Sequence, residues 1–328
     1  MSRPRITAIV PGYNHAVYLP ARLDSVYGQR GVEFEVLLLD DASTDNSLDV
    51  LRRYADRPHT RLITNATNSG SPFAQWNRGV ELAQGEFIWL AESDDLAAPD
   101  LLQRLTEMLI QHPQAALAYC QSIKIDAHNQ AGGPIENDLF RGTPAAHRWE
   151  QDFCNSGDDE IANYLYFQNT IPSASAVVFR RDRYLAVGGA DPSYRISGDW
   201  LHWIRMLAGQ QLCYTAMPLS QSRFHPQSQR FSTACNGQRE LESLRVQAAT
   251  RALVDINPAA IRTAAQQQMT TWLQQLRAGR YSGERLDHLR FARLLRQANA
   301  ATAAKFALHL PRALATWQAK RWLSPAAK

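Results

Sequence analysis

Apolar positions over the first ~125 residues alternate between two periods. Short continuous runs bounded by turn residues predict buried strands, and runs with a spacing of three and four predict helices. Ile6–Val10 reads as the first strand, closed by the turn Pro11-Gly12-Tyr13-Asn14. A helix is expected from about Pro20 to Gln29, and Glu35–Asp40 is a buried strand ending in acids. Asp45–Tyr54 is a helix for which Ser43-Thr44-Asp45 offers caps. Arg61–Thr64 is a third strand, Pro72–Ala83 a helix opened by proline, and Glu86–Leu90 a fourth strand running into Ala91-Glu92-Ser93-Asp94-Asp95. A helix over about Pro99–Gln111 and a strand over Ala115–Ile125 follow. Strand and helix in alternation predict an α/β layer architecture with a central, mostly parallel sheet flanked by helices.

Beyond that the rhythm changes. Residues 127–160 lose periodicity and gather Gly, Pro, Asn and Asp, which predicts a long loop or insertion with little structure of its own. Regular structure resumes at Ser175–Phe179, and from about Glu240 the pattern is almost wholly helical. The expected organisation is a catalytic unit over residues 1–235 and a helical C-terminal extension over 236–328. No internal repeat is visible.

Composition narrows the function classes. The 328 residues are 45% hydrophobic and 20% charged, ordinary for a globular protein. No apolar run approaches the ~20 residues that span a bilayer, and Ile6–Val10 is too short for a signal-peptide core. A cytoplasmic location is the expectation. Cys120, Cys154, Cys213 and Cys235 form no CxxC pair, so four reduced thiols are expected. The net charge of +4 is uneven. Residues 285–328 carry nine Lys or Arg against the single acid Asp287, which leaves the rest of the chain net acidic. Nucleic acid is therefore not an expected partner.

The chemistry lies at the strand ends. Open α/β sheets bind ligands outside the carboxyl ends of their strands. Two strands here end in paired acids, Asp40-Asp41 and Asp94-Asp95. Each pair alone suits a turn or a cap as well as a site. Together they crowd carboxylates on one rim, which is costly unless a cation or hydrogen-bond donors compensate. Mg²⁺ or Mn²⁺ prefers such oxygen ligands and bridges them to phosphates, which points to a diphosphate-bearing substrate. No GxGxxG follows the first strand, and no P-loop is present.

An ordered set of motifs resembles the family 2 glycosyltransferases of GT-A fold. The set begins with Ile9-Val10-Pro11-Gly12-Tyr13-Asn14 and Leu38-Leu39-Asp40-Asp41-Ala42-Ser43-Thr44-Asp45. It continues through Asn68-Ser69-Gly70, Asn77-Arg78-Gly79 and Gly85 to Asp95, and ends with Ser197-Gly198-Asp199-Trp200 and Arg223-Phe224-His225. The match spans about residues 5–230. It implies an inverting enzyme that moves a sugar from a nucleoside-diphosphate donor, UDP- or dTDP-linked, to a glycan or lipid-linked acceptor in surface polysaccharide assembly.

The resemblance also implies roles. Asp199 would be the catalytic base. Pro11, Tyr13, Asn14, Asp41, Asn68, Asn77, Arg78, Asp94 and Arg223 would hold the nucleotide sugar. Asp95 and His225 would bind Mn²⁺ or Mg²⁺. Many relatives carry an acid before the catalytic aspartate, where this chain has Gly198. The competing reading is a catalytically weak nucleotide-sugar-binding or scaffolding protein of the same fold. Trp76 and Trp89 read as core or pocket walls, Glu92 and Asp45 as structural, and His15 and His202 carry no motif support.

The tail adds one further expectation. Arg285, Leu286, Leu289, Arg290, Arg293, Leu294, Leu295 and Arg296, then Leu314, Trp317, Lys320, Arg321, Trp322 and Leu323, mix basic residues with Leu and Trp. That mixture suits peripheral contact with the inner face of an anionic membrane. Helices packed on the rest of the protein are the alternative.

Overall fold

A computed structural model of the chain describes residues 5–171, 173–225, 237–280 and 288–323, with side chains omitted at 138 and 321–323. Arg285 and Leu286, and the side chains of Arg321, Trp322 and Leu323, therefore lie outside the described residues. The chain divides into two compact units, residues 1–161 with 169–224, and residues 162–168 with 225–328.

Four strands of the first unit form a parallel block in the order β3 (Thr60–Thr64), β2 (Phe34–Asp40), β1 (Ile6–Gly12), β4 (Phe87–Leu90). Val, Leu and Ile fill β1 and β2, whose residues are buried on both faces, as helix-covered parallel strands require. The connecting helices α1 (Leu19–Tyr27), α2 (Ser47–Arg52) and α3 (Pro72–Leu82) follow in turn. β5 (Leu96–Ala97), α4 (Leu101–Gln111) and β6 (Ala115–Ile125) carry the chain onward. The sheet is then extended past β4 by β9 (Val177–Arg180), which lies antiparallel between β4 and β6, and by β10 (Gln211–Arg223), which runs parallel to β6. Between β9 and β10 come α6 (Arg181–Ala186) and α7 (Gly198–Leu207). The core lies between sheet and helices, with Leu19, Leu23 and Val26 of α1 and Leu102, Leu105 and Leu109 of α4 packed on Val10, Leu38 and Trp89.

Three details differ from the sequence reading. Residues 127–160 are not a bare loop. They contain β7 (Ala131–Pro134) on β6, a 3₁₀ turn over Pro144–Glu150, β8 (Phe153–Ser156) antiparallel to β10, and α5 (Gly157–Glu160). Four-residue strands are too short to show a period, and partner strands hold them instead. Cys154 and Cys213 are not free thiols. They face each other across β8 and β10 and are joined in a disulfide, whereas Cys120 is free and buried. Pairing between strands 59 residues apart leaves no spacing signal in the sequence. Finally, α2 starts at Ser47 rather than Asp45, because the Asp45 carboxylate accepts the N–H groups of Ser47 and Ala16 and fastens the preceding loop.

The second unit is helical: α8 (Gln238–Thr250), α9 (Pro258–Arg277), α10 (His288–Ala298) and α11 (Ala300–Leu323). Its core stacks Trp272 on Phe291 at 4.1 Å and Phe291 against Phe306 at 5.1 Å, with Leu241, Leu244, Leu276 and Leu295 around them. No helix among the described residues is long and apolar enough to cross a membrane.

Candidate functional site

Because β2, β1 and β4 are adjacent and parallel, their carboxyl ends open on one edge. Gly12 ends β1 opposite Asp40, so Asp41 leaves β2 and Ala91 leaves β4 on either side of it. A Cβ at Gly12 would sit 3.5 Å from the Leu39 carbonyl and 3.8 Å from Ser93 Cβ, which places the end of β1 in contact with both acid-bearing segments. The rim of carboxylates expected from the sequence is thus formed by sheet topology.

Asp95 is buried, 4% exposed. Ser173 Oγ donates to its Oδ2 at 2.8 Å, and the Arg223 N–H donates to its Oδ1 at 2.8 Å. Burial, and next Asp94, raise its pKa, against the opposing charge of Arg22. Glu92 is half-buried and accepts the Trp76 indole N–H at 2.7 Å, yet burial and Asp94 still push it up to about 8. His15 joins this cluster unannounced by any motif. Its Nδ1 is hydrogen-bonded to Ser93 Oγ at 2.6 Å, and a ring nitrogen lies within 4.8 Å of an Asp94 carboxylate oxygen. Crowded, partly desolvated carboxylates beside an imidazole are a donor set that fits a hard divalent cation.

Asp41 organises the neighbouring loop. It is 4% exposed and accepts from the Ser69 N–H and Oγ, from Asn65 Nδ2, and from Gln75 Nε2 at 2.8 Å. Asn68 donates to the Asp41 carbonyl at 2.9 Å, and Arg78 donates to Asn65 Oδ1. Asn14, in a left-handed backbone conformation with φ of 55°, accepts the Thr44 N–H at 2.7 Å. Tyr13 is 44% exposed beside buried Pro11. Asn14, Asp41, Asn68 and Arg78 thus belong to one hydrogen-bonded corner at the ends of β1 and β2.

Two other predicted residues hold loops, Asn77 away from the rim and Arg223 at it. The Asn77 amide spans Ala190, donating to its carbonyl and accepting its N–H, each at 2.9 Å, and it also accepts the Tyr184 hydroxyl. The Arg223 guanidinium donates to the Asp94 and Asp126 carbonyls and to Asn129 Oδ1, each at 2.6 Å, and stacks over Tyr18 at 4.7 Å. It ties the end of β10 to that of β4. His225 follows two residues later, is buried, and belongs to the second compact unit.

Asp199 lies in the first turn of α7. Its Oδ1 accepts the Trp200 N–H at 2.7 Å, and its Oδ2 accepts Asn169 Nδ2 at 2.9 Å. Asn169 precedes Ser173 by four residues, so one short segment holds Asp199 at one end and Asp95 at the other. Neither residue was singled out from the sequence, where the segment is only an unpatterned stretch before β9. Gly198 has a steric reason: a Cβ there would lie 2.4 Å from the Phe73 ring. The place of the expected acid is filled by an aromatic side chain of α3.

Comparisons with known proteins give the family and the fold. The profile for glycosyl transferase family 2 matches residues 7–184, more than half of the chain. The chain belongs to this family and is a glycosyltransferase. A PGL/p-HBAD biosynthesis glycosyltransferase of Mycobacterium bovis is 27% identical over 213 residues, covering 65% of this chain and 73% of the relative. The uncharacterized glycosyltransferase YibD of Escherichia coli is 29% identical over 161 residues, 45% of this chain and 46% of its own. Among solved structures, S. aureus TarS in complex with UDP-GlcNAc superposes with a TM-score of 0.67 at 16% identity, over 95% of this chain and 89% of that one. The mannosyltransferase PcManGT from Pyrobaculum calidifontis, in complex with GDP-Man and Mn²⁺, gives a TM-score of 0.56 at 18% identity over 98% of this chain and 87% of that one. The shared fold is GT-A.

Proposed function

We propose that this enzyme is an inverting, divalent-cation-dependent glycosyltransferase. Its donor is a nucleoside-diphosphate sugar, UDP- or dTDP-linked, and its acceptor the hydroxyl of a glycan or lipid-linked glycan. The observation that carries the reading is the segment from Asn169 to Ser173, which fastens Asp199 and Asp95 from one short stretch of chain. Support comes from the solved relatives bound to UDP-GlcNAc, or to GDP-Man with Mn²⁺, and from the mycobacterial relative named for PGL/p-HBAD biosynthesis.

In this reading Pro11 and Tyr13 wall the nucleobase, and the corner of Asn14, Asp41, Asn68 and Arg78 shapes its pocket. Asp94 faces the ribose. Asp95 holds Mn²⁺ or Mg²⁺, with His225 carried forward from the sequence as a second ligand. When bound, the cation supplies Lewis-acid stabilisation to the departing diphosphate. Asp199 accepts the proton of the acceptor hydroxyl as it attacks the anomeric carbon, with Asn169 fixing the carboxylate's orientation. Asn77 and Arg223 complete the donor-binding set and also hold loops, Asn77 at Ala190 and Arg223 at Asp94.

The test is donor hydrolysis with water as surrogate acceptor, followed by proton NMR of the first-formed sugar. A single displacement on an α-linked donor gives the β-anomer, and EDTA abolishes turnover. Retention of configuration, or full activity in excess EDTA, would contradict the reading. Nucleotide binding without turnover on any donor would leave the scaffolding alternative.

The tail enters as a separate proposal, peripheral attachment to an anionic membrane surface from the cytoplasmic side. The basic excess of residues 285–328 supports it, as do Leu289 and Leu308, 82% and 79% exposed. Each Lys or Arg near such a surface contributes about 1 kcal/mol. Leu295 lies in the helical core, and Leu294, Leu314 and Trp317, partly buried, pack against it, so the exposed leucines carry the contact. Co-sedimentation with anionic and neutral vesicles tests it. Binding confined to anionic vesicles at low salt, reduced in Leu289→Ser/Leu308→Ser, is expected. Equal or absent binding to both would refute it.

A further inference from the structure

The apolar stripe of α1 runs Leu19, Leu23, Val26, and at the position of this face where the helical period calls for another apolar residue stands Arg22. It is fully buried. Its guanidinium lies over the Trp89 ring at 4.7 Å, and one nitrogen donates to Ser175 Oγ at 3.3 Å. Nε and Nη1 have no hydrogen-bond acceptor among the described residues. A buried cation so poorly satisfied is expensive on its own account. Three carboxylates within four residues, Glu92, Asp94 and Asp95, are expensive for the opposite reason.

The two costs meet at one place. Ser175 Oγ accepts from Arg22 and from the Glu92 N–H at 3.1 Å, and the Ser175 N–H donates at 3.1 Å to the Ser173 hydroxyl that serves Asp95. Charge from Asp95, Glu92 and Asp94, in that order, opposes the burial that lowers the Arg22 pKa to about 10.

We infer that Arg22 is the resident counter-cation of the carboxylate rim, a positioning residue that keeps Glu92, Asp94 and Asp95 gathered before a divalent cation reaches them. The role resides in a buried positive charge linked to the rim through Ser175, and it makes the crowded carboxylates compatible with a folded protein. It deepens the metal role proposed for Asp95 and rests on it only in its second half.

Thermal unfolding tests both halves separately. In chelator, Arg22→Met, which keeps the side-chain volume, should lower Tm by roughly 5–15 °C, while Arg22→Lys loses less. Removing one acid should relieve the loss, so Asp95→Asn/Arg22→Met should unfold well above the sum of the single losses. With MnCl₂ alone, Arg22→Met should gain more in Tm than wild type does, because the added cation replaces the missing charge. Additive losses in the cycle would overturn the inference, as would an equal MnCl₂ shift in wild type and variant. If Arg22→Met fails to fold, folding restored by the added Asp95→Asn gives the same answer, and failure of both variants refutes it. No MnCl₂ response in wild type would sink the metal role of Asp95 while the cycle in chelator still judges Arg22.

Discussion

Asp199 accepts at both carboxylate oxygens, from the Trp200 N–H and from Asn169, and asparagine there keeps the shape and one of the two acceptors. Asp199→Asn should keep the melting temperature and donor affinity but lower turnover by ~10²–10⁴-fold, measured as kcat and donor Kd. A second residue-scale expectation concerns His202, which lies in the core between Tyr184 and Trp203 with its pKa lowered by burial to about 3. An unfolded histidine titrates near 6.5. Between those values the unfolded chain holds a proton that the folded chain does not. Stability is therefore full above about pH 6.5 and falls by about 1.4 kcal/mol per pH unit below it, as far as roughly pH 3. Urea unfolding at pH 7 and pH 5 should show this loss, and His202→Phe should flatten that part of the profile. The residues legible in the sequence were those in motifs: Asp41, Asp95 and Asp199 all stand where the strand ends and α7 bring them. His15, Arg22, Asn169 and Ser173 were not legible, because their partners lie up to 153 residues away and each residue type is ordinary in isolation. Arg22 alone left a trace, a charge on an apolar helical stripe.

β1 and β2, continuous runs buried on both faces, and α3 and α4, each with one buried face, appear close to their expected bounds because that burial is written along their whole length. Short edge pieces are different. β7 and β8 owe their existence to β6 and β10, and nothing within four residues announces that. The β8–β10 disulfide is the same lesson in covalent form, and it closes a span of 59 residues. Its removal by Cys154→Ser should cost about 2–4 kcal/mol in denaturant unfolding without reductant, and nothing further in its presence. Where α7 meets α3, Gly198 abuts Phe73, so Gly198→Ala should cost roughly 1–3 kcal/mol through overpacking. Phe73→Leu in the same chain should recover part of that loss, a coupling that thermal unfolding of the four-member cycle reads directly.

At the scale of the whole molecule, the GT-A unit carries every strand-end acid, and the helical unit has its own core of Trp272, Phe291 and Phe306. Hydrophobic alternation made the first unit's class readable, whereas the second offered only helices whose exposed and buried faces the sequence could not separate. Leu294 and Trp317, which looked suited to a lipid surface, are partly buried against the helical core, and Leu289 and Leu308 remain outside. We propose that the rim of Asp94 and Asp95 takes a nucleoside diphosphate together with a divalent cation. The most direct measurement is the thermal shift of the full chain with UDP, dTDP or GDP, each with and without MnCl₂. A ligand at 100 times its dissociation constant adds about 2.7 kcal/mol of apparent stability. A clear rise in Tm is expected for at least one diphosphate only when MnCl₂ is present, abolished in Asp95→Ala. A rise of equal size without metal, or one that survives Asp95→Ala, would contradict it.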